Sequence, residues 1–503
     1  MNYVGTARPI HDAKGKATGY TKYAGDLSLP NMAYLCMLHS KIPHGYVKAV
    51  HAEKALALPG VYGVYHCLNT SDRKYNRYRS SFNQAYLANE ERAFNQYVRF
   101  VGDKIGVVAA CDQETAERAA RLVEVEYEEL PFSIGFDDTL AGKNCLEGET
   151  PVRDEYTLEV GKKQESTEGL IEVCSTMELP RLHHATMETH ACIADYDPYS
   201  DMLTVYCPNQ AVHGIRTVLA DFLEMPESHV RVVKATMGGS FGAKQEWFLE
   251  PVTALVAKKL CRPVKLVYSR GEAMTDTIVR GAMRMSARGY YTPDGEMKEI
   301  YCDVTLDAGA YIGNAGDYVR ALAGKPTRCY RIPYMHYHGQ VISSNSPVSG
   351  AFRSWSAAEE ALMMERQLDA AAEKLGMDRL AIRLKNVARS GEEDKKLHLS
   401  LEDIRIGDAI TLGSEKFGWD KLKAEDAAFN ASQQRYRRGV GIGIGGHGNT
   451  YFPRFNDYGE GSISLNADGS MQANFTLHDH GCGTVTAMRM IAAEVLKVPE
   501  DKI

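Results

Sequence analysis

Several features are missing from this sequence. No two of its eleven cysteines form a C-x-x-C pair, which argues against iron–sulfur or zinc-ribbon ligation on this chain and suits reduced thiols. No window reaches the roughly 18 uninterrupted apolar residues that a membrane span needs. The start, "MNYVGTARPIHDAKGKATGY", has no apolar core behind its charges, so a secretory signal is not read there and a cytoplasmic chain is expected. There is no long block of like charge, and 58 Lys+Arg against 65 Asp+Glu leave a net charge of −7. Binding to a nucleic-acid backbone or a membrane surface is therefore not expected.

What is present is an ordinary globular composition, 44% hydrophobic and 24% charged, over 503 residues. Domains run to about 100–200 residues, so about three units are expected. Residues 104–128 read as a strand, then a helix opened by Asp112 with Ala116, Ala119 and Ala120, then an alternating strand with Val123, Val125 and Tyr127. They close a first α/β domain at 1–130. The polar, Gly-rich stretch 131–167 is expected to be a linker. A second unit covers 168–397, and a third, 398–503, stops at "IAAEVLKVPEDKI" as an unfinished domain. Within the second unit a helix is expected directly after Gln245, with Phe248, Val252, Leu255 and Lys259 on one face. Further helices are expected at about 357–375, stopped by Gly376, and from the cap Asp378 to near Asn386.

Four motifs carry candidate chemistry. "TMGGSFGAKQ" at 236–245 reads either as an anion cradle at a helix N-terminus or as a tight packing turn; without Gly-Lys-Ser/Thr it is no Walker A loop. In "RRGVGIGIGGHGNT", Val440, Ile442 and Ile444 alternate with glycines, which suggests a strand bared on one face for a ligand or a second backbone. Its G-x-G-x-x-G match is not followed by a helix, so a dinucleotide fold is rejected. "LHDHGCG", with His478, Asp479, His480 and Cys482, has no second ligand pair and does not support zinc. "HHATMETH", with His183, His184, Glu188 and His190, lacks the His-Glu-x-x-His order and reads as a core or surface strand.

Taken in order, "DAKGKATGYTKYAGDLSLPNMAYLCMLHSKIPHGYVKAV", "METHACIADY", "MGGSFGAKQ", "SNSPVSGAFR" and "GCGTVTAMRMIAAEVLKVP" resemble the molybdenum-binding subunit of the xanthine dehydrogenase/aldehyde oxidase family, over essentially the whole chain. The resemblance implies a mixed α+β fold: an N-terminal hammerhead-like α/β domain, then molybdopterin-binding α+β domains, the last incomplete. It implies that the glycine turn, with Gly239 and Gly242, lies against a molybdenum–molybdopterin cofactor. Phe241 then matches the aromatic beside the metal, Gln210 a glutamine that hydrogen-bonds a molybdenum oxo group, and Arg353 an arginine at the cofactor. Gln245, Arg320 and Trp355 match substrate-facing positions. An amide at 245 suits a heterocycle with N–H and C=O edges.

The implied activity is hydroxylation of a purine or related N-heterocycle, with water as the oxygen source and two electrons passed to [2Fe–2S] and FAD subunits. An aldehyde or nicotinate hydroxylase is the alternative within the class, and a scaffold or fragment without cofactor the alternative outside it. The carbon monoxide dehydrogenase branch is disfavoured because Ser354 replaces its cysteine. The chain departs from the family pattern in two places: "RSWSAAE" stands for R-G-F/Y-G-A-P-Q, with Ser354 and Ser356 for glycines, and "GCG" for G-Q-G places Cys482 at the cofactor. That thiol admits selenium, and the pterin admits a cytosine dinucleotide form. The family's catalytic Glu has no counterpart here, so a second chain that completes the subunit and supplies the general base is expected.

Overall fold

The computed structural model describes residues 3–78, 89–143, 146, 150–432, 435–448 and 459–503. Parts of the expected linker and the end of the glycine segment lie outside them. A seven-stranded mixed sheet forms the larger body, in the order Val230–Lys234, Met202–Cys207, Ala191–Asp197, Val264–Val267, Ala33–His39, Lys104–Ala110, Val61–His66. Lys104–Ala110 is buried at every position, as a central strand covered on both faces must be. The helices Val212–Leu223 and Glu250–Leu260 lie on one face. Their Ile215, Leu219, Val252 and Val256 pack into one core with Leu35, Leu203, Val205 and Leu266. At about 25 cal/mol per Å² of apolar surface buried, such contacts dominate the stability of the sheet.

The boundary expected at residue 130 does not fall between sheets. Ala33–Leu35 pairs in parallel with Val264–Leu266, so strands from both ends of the first 270 residues form one ladder, a pairing that no local pattern announces. The helix Gln113–Ala120 begins as expected, the Asp112 carboxylate accepting from Thr115 N at 2.7 Å. The strand Glu124–Glu129 that follows joins a separate three-stranded sheet with Gly45–His51 and Tyr97–Val98.

A second, five-stranded sheet runs Ile171–Leu179, Ala282–Tyr291, Met297–Asp307, Tyr334–Ile342, Val152–Gly161. The last strand corrects the expected linker at 131–167. Val152–Gly161 pairs antiparallel with Tyr334–Ile342, and as an edge strand it needs few apolar residues, which is why its composition reads as loop. The helix Ala357–Leu375 crosses this sheet through Met363, Met364, Leu368 and Ala371, and Gly376 ends it at φ 67°. Asp378 caps Arg379–Asn386 by accepting from Leu380 N and Ala381 N.

Beyond residue 400 come the helices Ile406–Phe417 and Trp419–Ser432, a hairpin Gly461–Leu465/Met471–Phe475, and the helix Thr484–Leu496. The strand expected through 440–446 is a correction: the described residues 435–448 form no strand. The segment lies on the second core through Ile442 and Ile444, and a Cβ at Gly446 would stand 2.5 Å from Cys329 Sγ. At Gly446 the close neighbour is a side chain, not a second backbone. Among the described residues no helix is long and apolar enough to cross a membrane.

A buried ionic chain ties the large sheet to the loops described next. Arg77 donates to both oxygens of Glu91, each residue almost wholly buried. Lys104 Nζ lies 3.8 Å from Glu91 and 3.5 Å from Asp276, which pairs with His39 at 3.3 Å. Arg77 also covers the Phe248 ring at 4.9 Å, and its carbonyl accepts from Trp247 N. Removing one partner of a buried pair strands the other charge. Arg77→Met is expected to lower the unfolding free energy by about 3–5 kcal/mol, read in urea titrations; a loss under about 1 kcal/mol would contradict that role.

Candidate active site

The glycine turn does not open a helix. The helix expected directly after Gln245 starts only at Glu250, with Pro251 in its first turn, because residues 240–249 are taken up by tight turns. The anion-cradle reading therefore lacks its dipole. What crowds the turn is a second loop. Gly242 has φ 105°, and a Cβ there would lie 2.3 Å from Ala351 O and 2.9 Å from Phe352 Cα. Arg353 N donates to Phe241 O at 2.7 Å, fastening residues 349–353 to the turn.

Three side chains from 183–190, read from sequence as a plain strand, hold this junction together. His184 stacks on Phe352 with centroids 4.2 Å apart, and its Nε2 meets Ala351 O at 2.8 Å. The His190 Nε2 meets Ala243 O at 3.0 Å. Both face carbonyls, so each Nε2 carries the hydrogen. Burial lowers the two imidazoles to about 4 and about 3, leaving them neutral. Glu188 accepts from Gly238 N at 2.7 Å and pairs with the buried Lys244 ammonium at 2.6 Å. A Cβ at Gly238 would strike Glu188 Cβ at 2.4 Å. The sequence signal for this support is Lys244, a lysine set directly after Gly242 and Ala243.

The two loops share unusual backbone strain. Phe241 has φ 54°, and Ser354, Trp355 and Ser356 have φ 84°, 37° and 65°. The serines thus keep a left-handed conformation that glycine adopts freely, at about 1–2 kcal/mol per residue. Such strain persists only where surrounding structure enforces it, and it concentrates at functional sites.

The side chains that emerge are free to meet a ligand. Phe241 is 47% exposed. The Gln245 amide, half-buried, and the Arg353 guanidinium, exposed, make no hydrogen bond or ion pair with the described residues. Gln210 is fixed beneath them. Its N donates to Lys244 O at 2.8 Å, its Oε1 accepts from Ser240 Oγ at 2.7 Å, and its Nε2 lies 3.2 Å from His478 Nε2. Burial lowers the His478 pKa, which favours the neutral ring as acceptor. Lys234 Nζ donates to Asp479 O at 2.7 Å, so "LHDHGCG" comes to the same corner. Cys482 is exposed there, its Sγ 2.9 Å from Thr484 Oγ1.

The other two expected substrate-facing residues make contacts of their own. Trp355 is half-buried against the second core, its ring 5.3 Å from Tyr318. The Arg320 guanidinium is bound by both oxygens of Asp154, at 2.5 and 2.8 Å, and lies over Tyr156. It is held by the edge strand that composition disguised as linker. Glu246, next to Gln245, is fully buried, and desolvation raises its pKa to about 8 against the opposing field of Arg77. Asn314 Nδ2 donates to its Oε1 at 2.9 Å, and its Oε2 has no partner.

Comparison with known proteins identifies the class. Residues 18–131 match the aldehyde oxidase and xanthine dehydrogenase a/b hammerhead domain, and 149–387 and 412–503 each match a molybdopterin cofactor-binding domain. The fold is thus a hammerhead domain followed by molybdopterin-binding domains of mixed α/β structure. The chain is 28% identical over 97% of its length to the xanthine dehydrogenase molybdenum-binding subunit of Escherichia coli O157:H7, covering 65% of that protein. It is 30% identical over 76% of its length to the nicotinate dehydrogenase large molybdopterin subunit of Eubacterium barkeri, covering 88% of it. Its fold matches quinoline 2-oxidoreductase from Pseudomonas putida 86 with a TM-score of 0.88 at 22% identity, over 99% of this chain and 65% of that one. The chain belongs to the xanthine dehydrogenase/aldehyde oxidase family of molybdenum hydroxylases, in the region of their molybdenum-binding subunit. It spans about 65% of the length of the xanthine dehydrogenase subunit it matches.

Glu246 has a consequence for stability. Its folded pKa lies above the ordinary carboxylate value, so its contribution is whole below the unfolded pKa, shrinks as pH rises, and is lost above about 8. Relative to Glu246→Gln, the native protein is expected to lose stability between pH 5 and 8 in urea titrations; parallel profiles would contradict a carboxyl kept neutral by burial.

Proposed function

We propose that this chain holds the molybdenum cofactor of a cytoplasmic hydroxylase that oxidises an N-heterocycle of the purine type, with water as oxygen source. The observation that carries the reading is the pair of unengaged polar groups, the Gln245 amide and the Arg353 guanidinium, on two strained, mutually locked loops around the exposed Phe241 ring. The donor set fits the group. Gln210, Gly239, Phe241, Gly242 and Arg353 would hold it, with Cys482 at the same corner, and Gln245 and Trp355 would face the substrate. The cofactor, when bound, supplies two-electron oxidation and an activated oxygen ligand.

The chain's own residues then orient and exclude. Gln245 can donate to one edge of a heterocycle and accept from another, but an amide cannot take the reaction's proton. Nor, among the described residues, are the nearest carboxylates free to do so. Glu188 is tied to Lys244, Glu359 to Arg280, Asp479 accepts from Gly481 N, and Glu246 is walled in. The general base is therefore supplied by further polypeptide, on this chain or a partner. The hairpin Gly461–Leu465/Met471–Phe475 supports that, because it exposes Ile463 and Leu465, the latter at 70%, and Val495 on the last long helix is 72% exposed. Such apolar faces are normally covered. [2Fe–2S] and FAD subunits would accept the electrons. A nicotinate-type substrate is the second reading, favoured by the 30% identity to the Eubacterium barkeri subunit.

The protein isolated gently from its native host, with its associated chains, is expected to contain about one molybdenum per chain and to oxidise purines, or nicotinate on the second reading, with bleaching of an iron–sulfur spectrum. Oxidation of aldehydes alone would overturn the heterocycle assignment. Selenium measured in the same sample tests the reading of Cys482.

A further inference from the structure

Behind the turn that carries Arg353 sits a buried ammonium. Lys325 precedes the short helix Pro326–Cys329 and is 9% exposed. Its Nζ donates to the carbonyls of Trp355 and Ser354, the second at 3.5 Å. The helix Ala357–Leu375 starts at once, and its positive N-terminus opposes a cation here. Glu359 and Glu360, both almost wholly buried in that first turn, attract the ammonium, while Arg328 and Lys396 repel it. Glu359 is already committed to Arg280 and Tyr318.

The strained turn accounts for the placement. Ser354, Trp355 and Ser356 are three successive non-glycine residues at positive φ, a run that relaxes unless something outside it makes relaxation costly. Within the turn, Trp355 N donates to Phe352 O and Ala357 N to Ser354 O, at 2.9 and 3.0 Å. The Trp355 carbonyl takes its hydrogen bond from Lys325. If the turn relaxed, it would leave a buried ammonium without its acceptors, and an unpaired buried charge is costly.

We propose that Lys325 is a positioning residue whose ammonium pins the Ser354 and Trp355 carbonyls and so holds the left-handed turn that presents Arg353 and Trp355. The pinning follows from these contacts; its importance for the cofactor rests on the reading under Proposed function.

Hydrogen exchange at the Trp355 and Ala357 amides tests the pin directly in the isolated protein with its associated chains. In Lys325→Met both amides are expected to exchange at least tenfold faster than in the native protein, with exchange in the Lys104–Ala110 strand unchanged. Lys325→Arg, which keeps the charge and donors, is expected to restore protection. Adding Ser354→Gly and Ser356→Gly to Lys325→Met is expected to shrink the defect, because glycine removes the strain that the ammonium opposes. Should Lys325→Met fail to fold, Lys325→Gln gives the same comparison. Native-like protection in the methionine or glutamine variant, or no rescue by arginine, would overturn the pin. Molybdenum content is expected to fall with protection and return with arginine. A loosened turn with unchanged molybdenum would uphold the pin and overturn the cofactor-facing reading of the turn.

Discussion

The site depends on one close approach, the backbone of residues 351–352 lying where a side chain at position 242 would be. A hydrogen bond from Arg353 N to Phe241 O fastens the contact, and the neutral rings of His184 and His190 hold the carbonyls on either side of it. Because both histidines face carbonyls from dry surroundings, they act as fixed donors rather than proton carriers. The glycines of "MGGSFGAKQ" thus have an immediate structural cause, and the proposed cofactor role rests on what the locked loops then present: an exposed ring, an amide and a guanidinium.

The surrounding charge serves the same end. Arg77, Glu91, Lys104 and Asp276 form a balanced buried chain, and Glu188 with Lys244 forms a separate pair at the turn. Buried pairs of this kind are weak sources of stability but strong constraints on geometry once formed, since any displacement strands a charge. Four left-handed non-glycine residues are held within reach of this scaffold. Their strain is local, and the packing that enforces it comes from two different sheets.

Much of this was legible in the sequence. The helices ending at Gly376 and opening at Asp112 and Asp378 follow from caps and periodicity, and they fall where those signals put them. The ordered motifs pointed to the family, which the domain matches bear out. Long-range pairing was not legible. The parallel ladder of Ala33–Leu35 on Val264–Leu266 joins segments more than two hundred residues apart, and the edge strand Val152–Gly161 is too polar to look like one. The same strand's Asp154 captures Arg320, a commitment that motif matching cannot register. The support from residues 183–190 leaves no signature spacing, because those side chains accept from and donate to backbone.

The central claim is that the locked turn and loop form the seat of the molybdenum cofactor. It is tested most directly by the molybdenum content of Gly242→Ala beside that of the native protein, both isolated with their associated chains. The added Cβ would sit 2.3 Å from Ala351 O, forcing the two loops apart. The account predicts folded protein with its molybdenum largely lost. A folded variant that retains its full molybdenum would contradict it.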